Sequence, residues 1–446
     1  MTKNSDALLE QLRELSPHGV DLSLSRMHAL LGVLDHPEKR LAPVIHVAGT
    51  NGKGSIIAFM KAMLEASGAR VHVYTSPYLS TLHESIKVAG AGGTARDICE
   101  PALVDVLSRV VAAARKTPAT LFEAETAAAL LAFAETPADF VLMETGLGGR
   151  LDATNVIDRP TLCVLTPIAH DHGEFLGDRI ADIAAEKAGI LKAGTPAVVA
   201  PQSDVALEVI RRRAGELGIN LSEAGQEWLA HEEHGRLVYQ SDDGLMDLPL
   251  PVLMGRHQIA NAGTAIAAVR HLGQAAPNEK AIAKGLLEAR WQARLQRLGE
   301  GALFDHAGTE TEIWVDGGHN PSAAHALAHS VAELEERASR PLHLVVGMLV
   351  TKDAAGFLEP FAGLVEAVFA VPVPKGESAF APSIPSDELA DVARNTGIWA
   401  EACATLQEAL EKCRQRASAP PRILICGSLY LAAYSLKCHE RLPTGR

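Results

Sequence analysis

The sequence predicts an α/β protein of two domains, the first on a mostly parallel sheet and the second a smaller Rossmann-like α/β unit. Three observations carry that prediction. At 446 residues the chain is longer than one core usually serves. Short apolar runs, Val44–Ala48, Val71–Thr75, Phe140–Met143 and Leu162–Leu165, alternate with stretches of helical periodicity, as strands buried on both faces of a parallel sheet do. After Trp291–Leu295 a Gly-rich, weakly structured stretch runs to Glu312 and the rhythm then restarts, which divides the chain into residues 1–296 and 297–446.

Leu8, Leu9, Leu12 and Leu15 form the apolar stripe of a first helix, closed by Pro17 and Gly19. A second helix carries Met27, Leu30, Leu31 and Leu34, begins near Ser25 and ends before Pro37. The strand Val44–Ala48 then runs into Gly49-Thr-Asn-Gly-Lys-Gly-Ser55, and Ile56, Phe59, Met60, Met63 and Leu64 place a helix from about Ser55. Glycines let backbone N–H groups turn toward a phosphate, and the helix N-terminus adds partial positive charge. Lys53 supplies a full charge, and the Ser55 hydroxyl sits where a magnesium ligand is expected. This is a phosphate-binding loop in shortened form, with two residues instead of four between the first Gly and the Gly-Lys pair. The first domain is therefore of the P-loop, ATP-binding type.

Val71–Thr75 ends at Ser76, which precedes a proline and is non-helical and available, although a plain strand-end turn accounts for it equally well. Thr120 and Glu123 have capping-box spacing at the start of an Ala- and Leu-rich helix, so Glu123 reads first as a cap. Phe140–Met143 ends in Glu144, and a carboxylate at the C-terminal end of a buried strand beside a phosphate loop is where a magnesium-site acid belongs. The glycines of residues 146–149 exclude regular structure, and Arg150, Asp152 and Asn155 make the segment a polar site loop. Beyond Leu165, His170 reads as an ordinary polar residue, while His172 beside Asp171 is better placed to bind an ion. Arg179 to Lys192 reads as one helix. On it Lys187 either pairs with Glu186, caps the helix end, or has a function of its own.

Residues 220–250 are acidic and irregular, and Arg236–Gln240 with Leu248–Val252 fit a surface hairpin. Met254 to Ala262 opens a helix holding Ile259, Ala262, Ile266 and Val269. The second domain has strands at Ile313–Asp316, Leu342–Val346, Ala367–Pro372 and Ile423–Cys426, with the loop Gly317–Pro321 leading to a helix at Ala323–Glu336. No G-x-G-x-x-G occurs, so a dinucleotide site is unsupported.

Composition narrows the function classes. Asp and Glu number 54 against 41 Lys and Arg, a net charge of −13, which argues against nucleic acid as a partner and requires any anion site to be locally basic. Six scattered cysteines without a C-x-x-C pair fit reduced, mostly buried thiols. The first residues lack an apolar signal segment, and no stretch approaches the length of a membrane span. A cytoplasmic monomer acting on small molecules, without membrane partners, is expected.

The loop His46-Val-Ala-Gly-Thr-Asn-Gly-Lys-Gly-Ser55 resembles the nucleotide loop of the folylpolyglutamate synthase and dihydrofolate synthase family, a branch of the Mur ligases. The likeness continues in order through Thr75-Ser-Pro, Phe122-Glu123, Glu144 to Asn155, Asp171-His172, Glu186-Lys-Ala-Gly-Ile190, Gly255-Arg-His-Gln-Ile-Ala-Asn-Ala262, Arg294, Asp316-Gly-Gly-His-Asn-Pro321 and Lys352-Asp353. It is similar to the bacterial, bifunctional type. The resemblance implies that ATP phosphorylates a substrate carboxylate and that the amine of L-glutamate attacks the acyl phosphate, the acceptor being dihydropteroate or a reduced folate. Two anions must then meet, so cations must line the path.

The resemblance also implies roles. Gly49, Thr50, Asn51, Gly52, Lys53, Gly54, Ser55, Asn261, Arg294 and Asp316 would bind ATP. Ser76 and Glu144 would hold one magnesium ion and His172 a second, with Lys187 carbamylated into a further ligand; a monovalent cation is a further option. Lys53, Lys187 and His319 would be catalytic, His319 near the incoming amino acid. Thr120, Leu121, Phe122, Glu123, Leu151, Asp152 and Ala153 would line the pterin pocket. The chain departs from the family in having Trp291-Gln-Ala before Arg294, where Pro-Gly is common, Asp316-Gly-Gly-His for Asp-Gly-Ala-His, and no histidine after Pro77. Two other readings stand beside this one: a murein ligase, whose separate N-terminal domain the roughly forty residues before the loop do not provide, and a non-catalytic ATP-binding protein.

Overall fold

The computed structural model describes residues 4–17, 23–90, 92–374 and 381–440; Gly19, expected to help close the first helix, lies outside them. Packing divides the chain into two compact units. The first comprises residues 1–169, 173–252 and 259–290, and the second residues 170–172, 253–258 and 291–446.

The first unit is built on strands β1 (Val44–Ala48), β2 (Val71–Tyr74), β3 (Ile86–Val88), β4 (Arg96–Asp97), β5 (Phe140–Glu144), β6 (Leu162–Leu165), β7 (Ala197–Val199) and β8 (Leu221–Glu223). They form one sheet in the order β4-β3-β2-β5-β1-β6-β7-β8, parallel except where β3 pairs with β2 and with β4. β1 is buried along its whole length, with Val47 opposite both Glu144 of β5 and Val164 of β6. The C-terminal ends of these strands at the sheet's switch point are where open α/β sheets bind ligands. A second sheet in this unit, β11-β10-β9, holds β9 (Trp228–Glu233), β10 (Arg236–Ser241) and β11 (Gly244–Pro249).

The second unit has one sheet in the order β12-β13-β17-β14-β15-β16. Its strands are β12 (Gln296–Arg297), β13 (Glu312–Val315), β14 (Leu342–Val346), β15 (Ala367–Ala370), β16 (Ala400–Ala402) and β17 (Arg422–Cys426). All its pairs are parallel but β12 with β13. This is the Rossmann-like α/β architecture that the sequence predicts.

Some expectations are corrected. The loop helix starts at Lys53, two residues early, because Gly52 turns the chain at φ +87° and serves as its N-cap. The helix expected over Arg179–Lys192 runs only from Ile180 to Ala188, since Gly189 ends it. The expected hairpin is three-stranded, with Gly244 starting a strand that ends at Pro249. The stretch from Gln296 to Glu312 is not open chain: β12 joins the second sheet and Phe304–Ala307 forms a helical turn. Five of the six cysteines are buried and all are free thiols. Among the described residues no helix is long and apolar enough to cross a membrane.

Candidate active site

In the first unit the site is assembled where β1, β5 and β6 end. Thr50 and Asn51 give their backbone N–H groups to the Pro167 carbonyl (3.0 and 3.2 Å), and the Thr166 hydroxyl donates to the Asn51 carbonyl. These bonds tie the loop to the segment after β6, so the amides of Thr50 and Asn51 hold the loop's shape. The helix Lys53–Ala66 begins without a side-chain cap, so its first-turn N–H groups point into the loop. A Cβ at Gly52 would lie 2.6 Å from Asn261 Oδ1, so glycine is needed there and Asn261, distant in sequence, is brought against the loop.

Two ammonium groups converge on the same loop. Lys53 Nζ donates to the carbonyls of Gly49 (3.1 Å) and Thr50 (3.3 Å), and Lys187 Nζ donates to that same Gly49 carbonyl at 2.9 Å. Lys187 is buried. Glu186, its neighbour on the helix, turns instead to Arg150 at 2.8–3.0 Å, as residues adjacent in a helix sequence do not share a face. Pairing with Glu186 therefore does not account for Lys187.

Glu144 Oε1 is 3.9 Å from Lys53 Nζ, and Oε2 accepts from the Ser76 backbone N–H at 3.3 Å. The Ser76 hydroxyl oxygen is buried with no hydrogen-bond partner among the described residues. An orphaned hydroxyl beside a carboxylate suits a hard cation that takes oxygen ligands and keeps several waters. No group of three or more His, Cys, Asp or Glu suited to a metal occurs among the described residues. Magnesium, held by one carboxylate, a hydroxyl and phosphate oxygens, does not require such a group.

The residues that the resemblance assigns to the pterin lie at the start of the helix Leu121–Ala134 and in the loop after β5. Thr120 and Glu123 make the expected capping box, and Arg26, which sequence reasoning missed, also pairs with Glu123 at 3.1 Å. Leu121, Phe122 and Leu151 are half-buried and Ala153 is buried. Phe122 lies over Gly146, where a Cβ would press into the ring. Asp152 is buried with four donors: Gly146 and Leu147 N–H on Oδ2 (2.9 and 2.8 Å), and the Thr154 N–H and hydroxyl on Oδ1 (2.9 and 2.5 Å). Burial pushes its carboxyl above the ordinary value, and those hydrogen bonds draw it partly back. With its lone pairs so occupied, Asp152 organises the pocket loop more than it faces a ligand.

The second unit gathers its own polar cluster. Asp171 accepts from Asn320 Nδ2 (3.1 Å), lies 3.3 Å from His319 Nε2 and pairs closely with Lys352. His319 Nδ1 bonds the Gly317 carbonyl, which turns Nε2 to Asp171. Burial alone would raise the Asp171 carboxyl, but the His319 bond and the charges of His319, His172 and Lys352 outweigh it and hold it far below the usual carboxylate range. The sequence marked Lys352 only as part of a motif and gave Asn320 no role. His172 belongs to this unit, half-exposed in a left-handed conformation (φ +54°), and His170 is exposed.

Arg294 and Asp316 meet in the second unit. Asp316 Oδ2 accepts from the Leu295 N–H (2.7 Å) and Oδ1 from the Gly318 N–H (2.6 Å). Ala293 and Leu295, on either side of Arg294, both have positive φ (+54° and +41°), a conformation L side chains resist. Asp316 thus holds the strained segment that presents Arg294.

Known proteins resemble this chain over most of its length. Residues 47–269 match the Mur ligase middle domain and residues 294–429 the Mur ligase glutamate ligase domain. A Bacillus subtilis dihydrofolate synthase/folylpolyglutamate synthase is 37% identical over 71% of this chain and 73% of its own. Escherichia coli FolC in complex with DHPP and ADP superposes with a TM-score of 0.86 at 30% identity, covering 98% of this chain and 97% of that one. The Yersinia pestis bifunctional enzyme complexed with AMPPNP and Mn gives 0.85 at 30% identity over 98% of each chain. The chain belongs to the dihydrofolate synthase/folylpolyglutamate synthase family of Mur ligases and is an ATP-dependent ligase.

Proposed function

We propose that this chain joins L-glutamate to dihydropteroate, forming dihydrofolate, and to reduced folates, extending their glutamate chain, through an acyl phosphate made from ATP. The single observation that carries the chemistry is the convergence of Lys53 and Lys187 on the Gly49 carbonyl beside Glu144. Two like charges so placed repel one another strongly in a poorly solvated site. A polyphosphate drawn onto the loop relieves Lys53. A carbamyl group on Lys187 forms when its neutral amine, having lost the ammonium proton to solvent, bonds to the carbon of CO₂ and a second proton leaves, which turns the second charge negative.

Ser76 and Glu144 would hold one magnesium ion; carbamylated Lys187, in the same unit, and His172, in the second unit, would each be a magnesium ligand. Magnesium supplies charge neutralisation at the transferring phosphoryl oxygens. The protein's own groups do the rest. Lys53 and the first-turn amides of its helix bind the outer phosphates, and Ser55 and Gly54 close the loop around them. Asn261, against the loop, would contact the nucleotide; in the second unit Asp316 sets the segment that presents Arg294, a further ATP ligand by resemblance. Phe122, with Thr120, Leu121, Leu151 and Ala153, provides the wall for the flat pterin, and Glu123 and Asp152 keep that wall in shape. His319, held through Nδ1, stands ready near the incoming amine.

The function is tested by ADP release measured with dihydropteroate, with tetrahydrofolate and with each acceptor lacking glutamate. Turnover that needs both acceptor and glutamate is expected. ATP hydrolysis indifferent to glutamate would favour a non-catalytic ATP-binding protein instead. A murein ligase finds no favour among the relatives, which are folate ligases.

A further inference from the structure

We propose that His46 and Thr154 are positioning residues for the pterin pocket, forming a buried relay from the strand beneath the phosphate loop to the loop under Phe122. The proposal rests on the reading that the Phe122 pocket receives the pterin. His46 is the middle residue of β1, fully buried, and its Nε2 lies 2.9 Å from Thr154 Oγ1, 108 residues away in sequence. The Thr154 hydroxyl donates its only proton to Asp152 Oδ1, so toward His46 it accepts, and His46 carries its proton on Nε2. Burial, aided by the charge of Lys192, lowers the His46 imidazole to about 3, so the ring is neutral. Its other nitrogen, Nδ1, has no partner among the described residues, which leaves the Thr154 bond as the ring's one described hydrogen bond.

The relay continues from Asp152 to the backbone N–H groups of Gly146 and Leu147. Gly146 is the residue on which the Phe122 ring rests: a side chain there would strike three atoms of the ring. The links His46–Thr154 and Thr154–Asp152 join buried groups, so removing one leaves a buried polar atom unsatisfied instead of re-solvated, while the bonds from Asp152 to Gly146 and Leu147 lie nearer the surface. Thr154 holds Asp152, Asp152 holds the Gly146 backbone, and Gly146 sets the height of the aromatic platform. A stacked ligand responds to a shift of that platform of a fraction of an ångström.

The test compares Thr154→Val, which keeps the shape but removes the hydroxyl, with Thr154→Ser, which keeps the hydroxyl. Dihydropteroate affinity is measured by titration calorimetry and the KM for ATP by ADP release, with thermal unfolding as a check on the fold. Thr154→Val is expected to weaken dihydropteroate binding roughly tenfold with the KM for ATP unchanged, and Thr154→Ser to restore it. Equal affinity in the folded Val variant overturns the proposal, as does a parallel loss for both ligands that Ser does not repair. Should Thr154→Val not fold, His46→Phe removes the donor to Thr154 while keeping an aromatic ring. It is expected to weaken dihydropteroate about threefold, and no change overturns the proposal. Failure of the unaltered chain to bind dihydropteroate would overturn the functional reading itself, a distinct result.

Discussion

The phosphate loop and the pocket loop after β5 are both glycine-rich segments at the ends of neighbouring strands, yet their charges are treated in opposite ways. In the phosphate loop two lysine ammoniums share one carbonyl oxygen, with Glu144 nearest to Lys53 at 3.9 Å. In the pocket loop one carboxylate, Asp152, receives four donors. The first arrangement brings two ammonium groups to one point of the loop, where a polyphosphate is proposed to bind. The second is complete within the protein and serves as scaffold. A charged residue in a site loop is thus a ligand candidate only if its partners leave it incomplete. Asp152 and, in the second unit, Asp316 both accept from backbone N–H groups, whereas Lys53 donates to the backbone carbonyls of its own loop.

The largest expected effect is on the incomplete side. Lys53→Ala should abolish ligation, because the loop's amides alone do not neutralise the outer phosphate, a loss of several kcal/mol, on the order of 3–4, in the transition state. ADP release by a variant shown to be folded measures it, and near-normal turnover would refute the phosphate-loop assignment.

Lys187 comes next. Lys187→Ala should lose most activity, with partial return when a short carboxylic acid is added, and Lys187→Arg should fail although it keeps the charge. Full activity in the arginine variant would mean that a cation, not a carbamyl group, is what the site needs.

The smallest expected effect concerns stability and contrasts Asp152 with Glu125, another buried carboxyl, on the helix that begins at Leu121. Glu125 has no donor among the described residues, and burial, only partly offset by the charge of Arg13, pushes it up to about 8. Its folded value lies above its unfolded value near 4.5. Stability from this group is therefore fully present below pH 4.5 and is lost as pH rises through about 8. Glu125→Gln should raise the unfolding temperature more at pH 8 than at pH 5. An equal shift at both pH values would show that Glu125 is already solvated or paired.

Much of this protein was determined by its sequence alone. The strand–loop–helix around Lys53, the capping box of Thr120 and Glu123, and the buried strands Val44–Ala48, Leu162–Leu165 and Leu342–Val346 are local matters of periodicity, glycine placement and burial. The α/β class follows from them. Short strands such as Ala197–Val199 and Ala400–Ala402 escaped notice because three residues carry no period, and only pairing with a neighbour makes them strands.

What each charge does was decided by tertiary structure. Nothing near Lys187 in the chain says that its ammonium meets Gly49, 138 residues away. Nor does anything near Asp152 say that Thr154 reaches on to His46. Hydrogen-bond saturation depends on which groups the fold brings within about 3 Å, and partners distant in sequence leave no local trace.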